Sequence, residues 1–123
     1  MVVPRPLRLA AILQITSGLL NILLVSWVAW LGISCFCGLV TFPFLSAGGV
    51  CGLFSFLLVP IGMLEFGAGV YGWLDPREGV SAMRLVAWAE IAGILVGGLP
   101  SAIVGLVVRA LLGRDEVLVW LEG

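Results

Sequence analysis

The sequence contains no histidine and no lysine, so all of its basic residues are arginine. Without histidine, neither a Ser–His nor a Cys–His nucleophile can be assembled. The glycines do not form a phosphate-binding loop after a strand; their spacing is that of helix-packing residues. The common catalytic constellations are therefore excluded, and we expect a non-enzymatic protein with no cofactor and no metal ion.

Cysteine is also scarce. Cys35, Cys37 and Cys51 all lie in apolar stretches. A metal site would require Cys-x-x-Cys pairs or histidine partners, and the chain has neither. Cys35 and Cys37 cannot share a helix face, because only residues three or four apart do so. We interpret all three as small apolar side chains packed in helices.

Charge is nearly absent over long stretches. Residues 9–74 carry one formal charge, that of Glu65, and residues 85–112 carry only Glu90 and Arg109. Hydrophobic residues make up 62% of the chain and the mean hydropathy is +1.24, whereas soluble domains are about 45–50% apolar. A soluble core is thereby excluded, and the chain belongs in a lipid bilayer. The net charge of −1 offers no positive field to nucleic acid.

The apolar runs are long enough for four crossings, because about 20 helical residues span a hydrocarbon core of about 30 Å. We predict an all-α integral membrane protein whose single transmembrane domain, residues 1–123, is a compact four-helix bundle. Gly32 and Ser34 allow a turn after the first helix, and the last helix can bend at Gly97-Gly98-Leu99-Pro100. The predicted helices are residues 8–30, 33–54, 57–74 and 85–112, followed by an interfacial tail at residues 113–123.

The second apolar run leaves an alternative open. Pro43 and the pair Gly48-Gly49 are helix breakers, which lipid tolerates when neighbouring helices cover the freed carbonyl groups. If residues 32–49 form a re-entrant segment instead, the protein has three transmembrane helices. Four crossings is the favoured interpretation, because exposing the apolar side chains of this stretch to water would be costly.

The arginines predict an orientation. With four crossings, both termini lie on one side of the membrane and the loop of residues 75–84 lies on the other. The terminal side carries Arg5, Arg8, Arg109 and Arg114, and the loop carries Arg77 and Arg84. The positive-inside rule then places both termini in the cytoplasm, and we expect a bacterial cytoplasmic membrane.

Polar side chains recur within stripes of small residues, each on one predicted helix face. Small residues allow close helix approach and polar groups avoid lipid, so these faces should turn towards other protein. The stripes are Gln14, Ser17, Gly18 and Asn21 on the first helix, Gly62, Glu65, Gly69 and Gly72 on the third, and Glu90, Gly93, Gly97 and Ser101 on the fourth.

Glu65 is the deepest polar group. It lies about 15 Å along the helix from Asp75, whereas Gln14 and Glu90 lie about 9 Å deep. No cation can reach it, so we expect its carboxyl to be protonated at neutral pH. One interpretation is a neutral acid that donates an interhelical hydrogen bond to Gln14, Asn21 or a backbone carbonyl. The other is a proton or cation site with Glu90 and Gln14 as relay groups.

A weak internal repeat relates two segments. Residues 8–15 resemble residues 84–91, and the segments continue to Gly18 and Gly93. With four crossings these helices would run in opposite directions, which predicts an inverted repeat like those of some transporters. Chance similarity in a chain rich in leucine, alanine and isoleucine is the alternative.

Residues 9–21 and the overall layout resemble small bacterial four-helix membrane proteins and tetraspan families such as the MARVEL-like and membrane-spanning four-domain proteins. The resemblance implies a tetraspan bundle, although the large extracellular loop of true tetraspanins is missing. Small multidrug-resistance transporters are similar in length and have a membrane glutamate. They carry it in the first helix, where this chain has Gln14, so the departure argues against drug–proton exchange.

The predicted function is that of a structural or assembly subunit. The parts outside the membrane are too small to hold a substrate or a signalling domain. We expect the partners to be the lipid bilayer and either copies of the same chain or other subunits of a larger membrane complex, with no nucleic acid. The alternative is a small oligomeric proton or ion channel or transporter that uses Glu65.

Overall fold

The structure is a computed structural model that describes residues 2–40, 50, 52–96 and 98–123. Within these ranges the chain is helical and has no strand, which confirms the all-α class. The helices are α1 (Arg5–Val40), α2 (Phe54–Leu74), α3 (Pro76–Ala92), α4 (Leu99–Leu112) and α5 (Asp115–Glu122).

Proline and aspartate set the starts of several helices. Pro6, Pro76 and Pro100 lie in the first turns of α1, α3 and α4, where the missing N–H group would have had no partner. The side chain of Asp75 accepts a hydrogen bond from the backbone N–H of Glu78 at 3.4 Å and so caps α3. The short link at Asp75 therefore reverses the chain between α2 and α3.

α1 is longer than expected. It continues through Gly32 and Ser34 to Val40, so the turn predicted at these residues is wrong and residues 33–40 do not begin a second helix. A Cβ atom at Gly32 would have no neighbour within 4 Å. None of the described residues approaches this position to impose a turn, and an apolar helix tolerates one glycine. Residues 41–49, which include Pro43, lie outside the described residues.

The single helix predicted for residues 85–112 is also wrong. α3 begins at Pro76 and ends at Ala92, a 3₁₀ turn occupies Gly93–Val96, and α4 begins at Leu99. The backbone N–H of Gly98 donates to the carbonyl of Gly93 at 2.9 Å, which closes the turn. Pro100 cannot continue a helix from this turn but fits the first turn of the next one. The expected bend is instead a reversal, and α3 and α4 form an antiparallel hairpin.

Four helices pack as a closed ring. α1 contacts α2 and α4, and α3 contacts the same two helices. The core is built from small and branched apolar side chains, including Leu7, Ala10, Ala11, Met83 and Val108. α5 packs against the bundle through Val117, which is fully buried. The bundle is therefore a four-helix arrangement, as expected, but its helices differ from the predicted ones.

Only α1 and α2 are long and apolar enough to cross a membrane, among the helices in the described ranges. α4 has 14 residues, which is about 21 Å of helix against a hydrocarbon core of about 30 Å. The structure thus has two candidate membrane-spanning helices, and four are not confirmed.

Charged side chains gather at one end of the bundle, called here the charged end. It comprises the start of α1, the end of α2, the start of α3, the end of α4 and all of α5. Arg8 lies 6.0 Å from the ring centroid of Trp73, and Arg77 lies 5.4 Å from that of Trp120. The loop of residues 75–84 therefore lies beside both termini, which corrects its expected position opposite them. The remaining charged residues, apart from Glu65 and Glu90, lie in these segments or in the links between them, except Arg84, which lies at the middle of α3 and reaches the end of α4 through its hydrogen bond to Leu112.

Candidate functional site

A cluster of buried polar side chains occupies the interior of the bundle. Each member is at most 7% exposed. Two depths are occupied, with Gln14 and Glu90 nearer the charged end and Asn21, Glu65 and Ser101 further from it. All four helices of the ring contribute. The polar cluster consists of Gln14, Ser17 and Asn21 from α1, Glu65 from α2, Glu90 from α3 and Ser101 from α4.

The Glu65 carboxyl accepts hydrogen bonds from two other helices. Asn21 Nδ2 lies 2.7 Å from Oε1 and 2.8 Å from Oε2, and Ser101 Oγ donates to Oε1 at 2.6 Å. Asn21 is thus a partner, as expected, but the direction is reversed because the carboxyl accepts. Both carboxyl oxygens of Glu65 therefore have at least one donor.

Glu90 and Gln14 form a second, incomplete pair. Gln14 Nε2 donates to the backbone carbonyl of Met83 at 3.0 Å and to Glu90 Oε1 at 3.3 Å. The other oxygen of each side chain, Gln14 Oε1 and Glu90 Oε2, is buried and has no hydrogen-bond partner among the described residues. Two acceptors therefore remain open on two side chains that already share one hydrogen bond.

Gly105 of α4 makes room for Glu90. A Cβ atom at residue 105 would lie 2.7 Å from the backbone oxygen of Ala87, 2.8 Å from Glu90 Cβ and 2.9 Å from Glu90 Oε2. No side chain larger than hydrogen fits there without displacing α3 or the carboxyl. Sequence reasoning missed Gly105, although it lies four residues after Ser101 on the same helix face.

The predicted packing glycines lie inside the protomer. A Cβ atom at Gly18 would lie 2.5 Å from the carbonyl oxygen of Gly62, and one at Gly69 would lie 2.8 Å from that of Ala11. Gly72 faces Met83, whose side chain a Cβ atom would meet at 2.6 Å. These glycines bring α2 close to α1 and α3, so they build the single-chain bundle.

Two predicted packing residues differ from the rest. A Cβ atom at Gly93 would make only ordinary contacts, the nearest at 3.5 Å to Leu58. Gly97 lies outside the described residues.

Because α3 and α4 are separate helices, Glu90 and Ser101 do not share one face. The two residues reach the polar cluster from different helices instead.

Asn21 begins a local change in helix geometry. Residues Asn21–Val25 form a π turn within α1. Such turns carry one extra residue and are frequent at functional sites. The turn starts at the residue that holds Glu65, so it lies at the deeper half of the polar cluster. Sequence periodicity gave no signal for it.

The repeat segments run in the same direction. α1 and α3 both start at the charged end, so the inverted relation predicted from four crossings is wrong. Gln14 and Glu90 occupy matching positions in the two segments, and they are hydrogen bonded to each other. The two segments thus meet at their matching polar residues.

Cys35 and Cys37 are not members of this cluster. Cys35 and Cys37 lie on the far half of α1, and Cys35 is exposed there rather than packed. Cys51 lies outside the described residues.

Comparison with known proteins adds no assignment, because no protein-family model, no curated protein and no solved structure matches this chain.

Proposed function

We propose that the protein is an integral membrane protein with two crossings, α1 and α2, and that the α3–α4 hairpin enters the bilayer from the charged end without crossing it. The length and apolar character of α1 and α2 support the crossings. The short hairpin supports the re-entrant arrangement, since its turn is apolar and both of its outer ends carry arginine.

The arginines support one orientation. All six arginines of the chain belong to the charged end, and the opposite end has none. The positive-inside rule therefore favours an orientation in a bacterial cytoplasmic membrane in which the charged end, with both termini, faces the cytoplasm. This distribution favours that orientation more strongly than the four-against-two division expected from four crossings.

We infer that the function of this protein is to bind a proton or a monovalent cation in the polar cluster as part of ion movement across the membrane. The observation that carries this proposal is the pair of open acceptors, Gln14 Oε1 and Glu90 Oε2. A buried polar atom left without a partner costs about 1–3 kcal/mol. Each of these oxygens would therefore gain from a positive group or a hydrogen-bond donor that reaches it.

A single proton on Glu90 would complete the pair. Protonated Oε2 becomes a donor, and Gln14 Oε1 is an open acceptor on the side chain that already donates to Glu90 Oε1. A small cation bound by both oxygens would satisfy them in the same way. Glu65 differs, because Asn21 and Ser101 already fill its oxygens. The two acids are thus suited to different roles. Glu90 can bind a proton or a small cation, whereas Glu65 links three helices through its hydrogen bonds.

A cleft between α1 and α4 offers a route towards the polar cluster. It has a volume of about 200 Å³ and is lined by Ser17 and Asn21 together with apolar side chains such as Leu13 and Val104. In this conformation the cluster is closed, since its members are buried. Ion exchange would require α4 to move relative to α1, and Pro100 at the start of α4 lines the same cleft.

The experiment that tests this function compares ion flux in liposomes. Wild-type protein is expected to carry protons or Na⁺ down a gradient, and Glu90→Gln is expected to abolish the flux. The variant should stay folded, because its amide can donate to Gln14 Oε1 and complete the pair permanently. Glu122→Gln, which removes an exposed carboxyl at the charged end, is the matched control and should leave the flux unchanged. A wild type that passes neither ion would reject the proposal.

A second candidate function, the assembly subunit, is favoured by the far half of α1. From Leu9 to Val40 this helix is uncharged for about 48 Å, against a hydrocarbon core of about 30 Å. Phe36, Leu39 and Val40 are exposed at its end. Another membrane subunit or a second copy could cover them. The oligomeric state in native membrane, with identification of any bound subunit, tests this role separately from ion flux.

A further inference from the structure

The outer end of the α3–α4 hairpin contains a cleft with two arginines. The cleft measures about 300 Å³ and is lined by Arg84, Trp88, Arg109 and Gly113. It lies at the charged end, and none of its lining residues belongs to the polar cluster. Neither guanidinium forms an ion pair with any residue in the described ranges. Two positive charges therefore line one cleft without a carboxylate partner.

The two arginines are held in place by different contacts. The Arg109 guanidinium lies 3.8 Å from the ring centroid of Trp88, a cation–π distance that orients its flat face. Its N–H groups make no hydrogen bond to the described part of the chain. Arg84 Nη2 donates to the carbonyl of Leu112 at 3.3 Å, which caps the end of α4. That capping contact uses one nitrogen of Arg84 and leaves the remaining donors of both side chains open.

The surface beyond the cleft is apolar. Trp88 follows Arg84 on one face of α3, Leu95 lies in the 3₁₀ turn beyond this helix, and both are exposed. Along α4, Leu106 and Leu99 lead from Arg109 towards the hairpin turn, and both are also exposed. An anionic group bound between the arginines would therefore have an apolar surface directly below it, on the side that faces the membrane interior.

We propose that Arg84, Trp88 and Arg109 bind the phosphate group of an anionic phospholipid, whose acyl chains lie along the exposed apolar faces of α3 and α4. Guanidinium groups form paired hydrogen bonds with phosphate oxygens. Charge complementarity selects an anion, and the adjoining apolar surface selects a lipid over a free phosphate ion. The site anchors the outer end of the hairpin at the cytoplasmic face.

The test measures lipid binding to delipidated protein in detergent by native mass spectrometry. Phosphatidylglycerol is compared with phosphatidylcholine of the same acyl chains. Each arginine near an anionic surface contributes about fivefold in affinity, so the double variant R84Q/R109Q should lose about 25-fold in phosphatidylglycerol binding. R109Q alone should lose about fivefold. R109Q removes no hydrogen bond from the described chain, so it remains informative if the double variant unfolds.

The matched control is R5Q/R114Q, which removes the same charge from the same end outside the cleft. It should bind phosphatidylglycerol as the wild type does. An equal loss in this control would show diffuse charge attraction and overturn the site. Equal binding of the two lipids by wild type would also overturn it, as would displacement of phosphatidylglycerol by inorganic phosphate at similar concentration.

Discussion

Substituting Gly18 by alanine should destabilise the contact between α1 and α2. The new methyl carbon would lie 2.5 Å from the carbonyl oxygen of Gly62 and 2.6 Å from the amide nitrogen of Phe66. Both are backbone atoms, so no side-chain rotation can relieve the contact. The two helices would have to separate by about 1 Å to restore ordinary van der Waals distances.

The expected net effect is about 1–2 kcal/mol of destabilisation, because overpacking costs about 1–3 kcal/mol and the higher helix propensity of alanine offsets at most about 1 kcal/mol. Gly67 is the matched control on the facing helix, since a Cβ atom there would meet nothing within 4 Å. Gly67→Ala should be neutral or slightly stabilising.

The assay is reversible unfolding by SDS in mixed micelles, followed by circular dichroism, with the oligomeric state checked at each step. Because Gly18 packs within the protomer, Gly18→Ala should lower the unfolding midpoint at every protein concentration. A midpoint that depends on protein concentration would indicate packing between chains instead. Equal effects of Gly18→Ala and Gly67→Ala would refute the description of the α1–α2 contact.

Three further variants test the polar cluster and the topology. Gly105→Ala should lower stability by about 1–2 kcal/mol in the same unfolding assay, because its methyl group would crowd Glu90 and the backbone of Ala87 and the helix propensity of alanine offsets part of this cost. Glu65→Leu should cost about 1–3 kcal/mol by leaving buried donors without an acceptor, while Glu65→Gln, which keeps one acceptor oxygen, should cost less; equal losses would contradict the hydrogen-bond account. A cysteine introduced at Ser81 should react with a membrane-impermeant reagent from the same side as one at Val2, and labelling from opposite sides would restore the four-crossing topology.

The sequence predicted the all-α class correctly, and its apolar runs contain both candidate membrane-spanning helices, because both features follow from the local density of apolar residues. It failed at Gly98 and Pro100, where the same residues can kink a helix or reverse the chain. Gly98 fits tightly against Leu58, a residue of another helix. A reversal that depends on this tertiary contact leaves no signal in the hydropathy pattern.

The members of the candidate site were easier to predict than their pairing. Gln14, Asn21, Glu65 and Glu90 are prominent because they are polar residues in apolar runs. Which of them meet depends on the directions of α1 and α3, and these depend on the number of crossings. Four crossings would separate Gln14 from Glu90, whereas the hairpin brings them within hydrogen-bond distance.

The protonation state of Glu90 tests the central claim most directly. Infrared spectra of the protein in lipid at neutral pH should contain the C=O stretching band of a protonated carboxyl group. The difference between spectra recorded in water and in heavy water identifies this band, because it shifts in heavy water. The account predicts that Glu90→Gln removes one component of this band and that Glu65→Gln leaves that component in place. A spectrum without such a band in the absence of added Na⁺, or a band that Glu90→Gln leaves unchanged, would contradict the assignment of Glu90 as the proton-binding group.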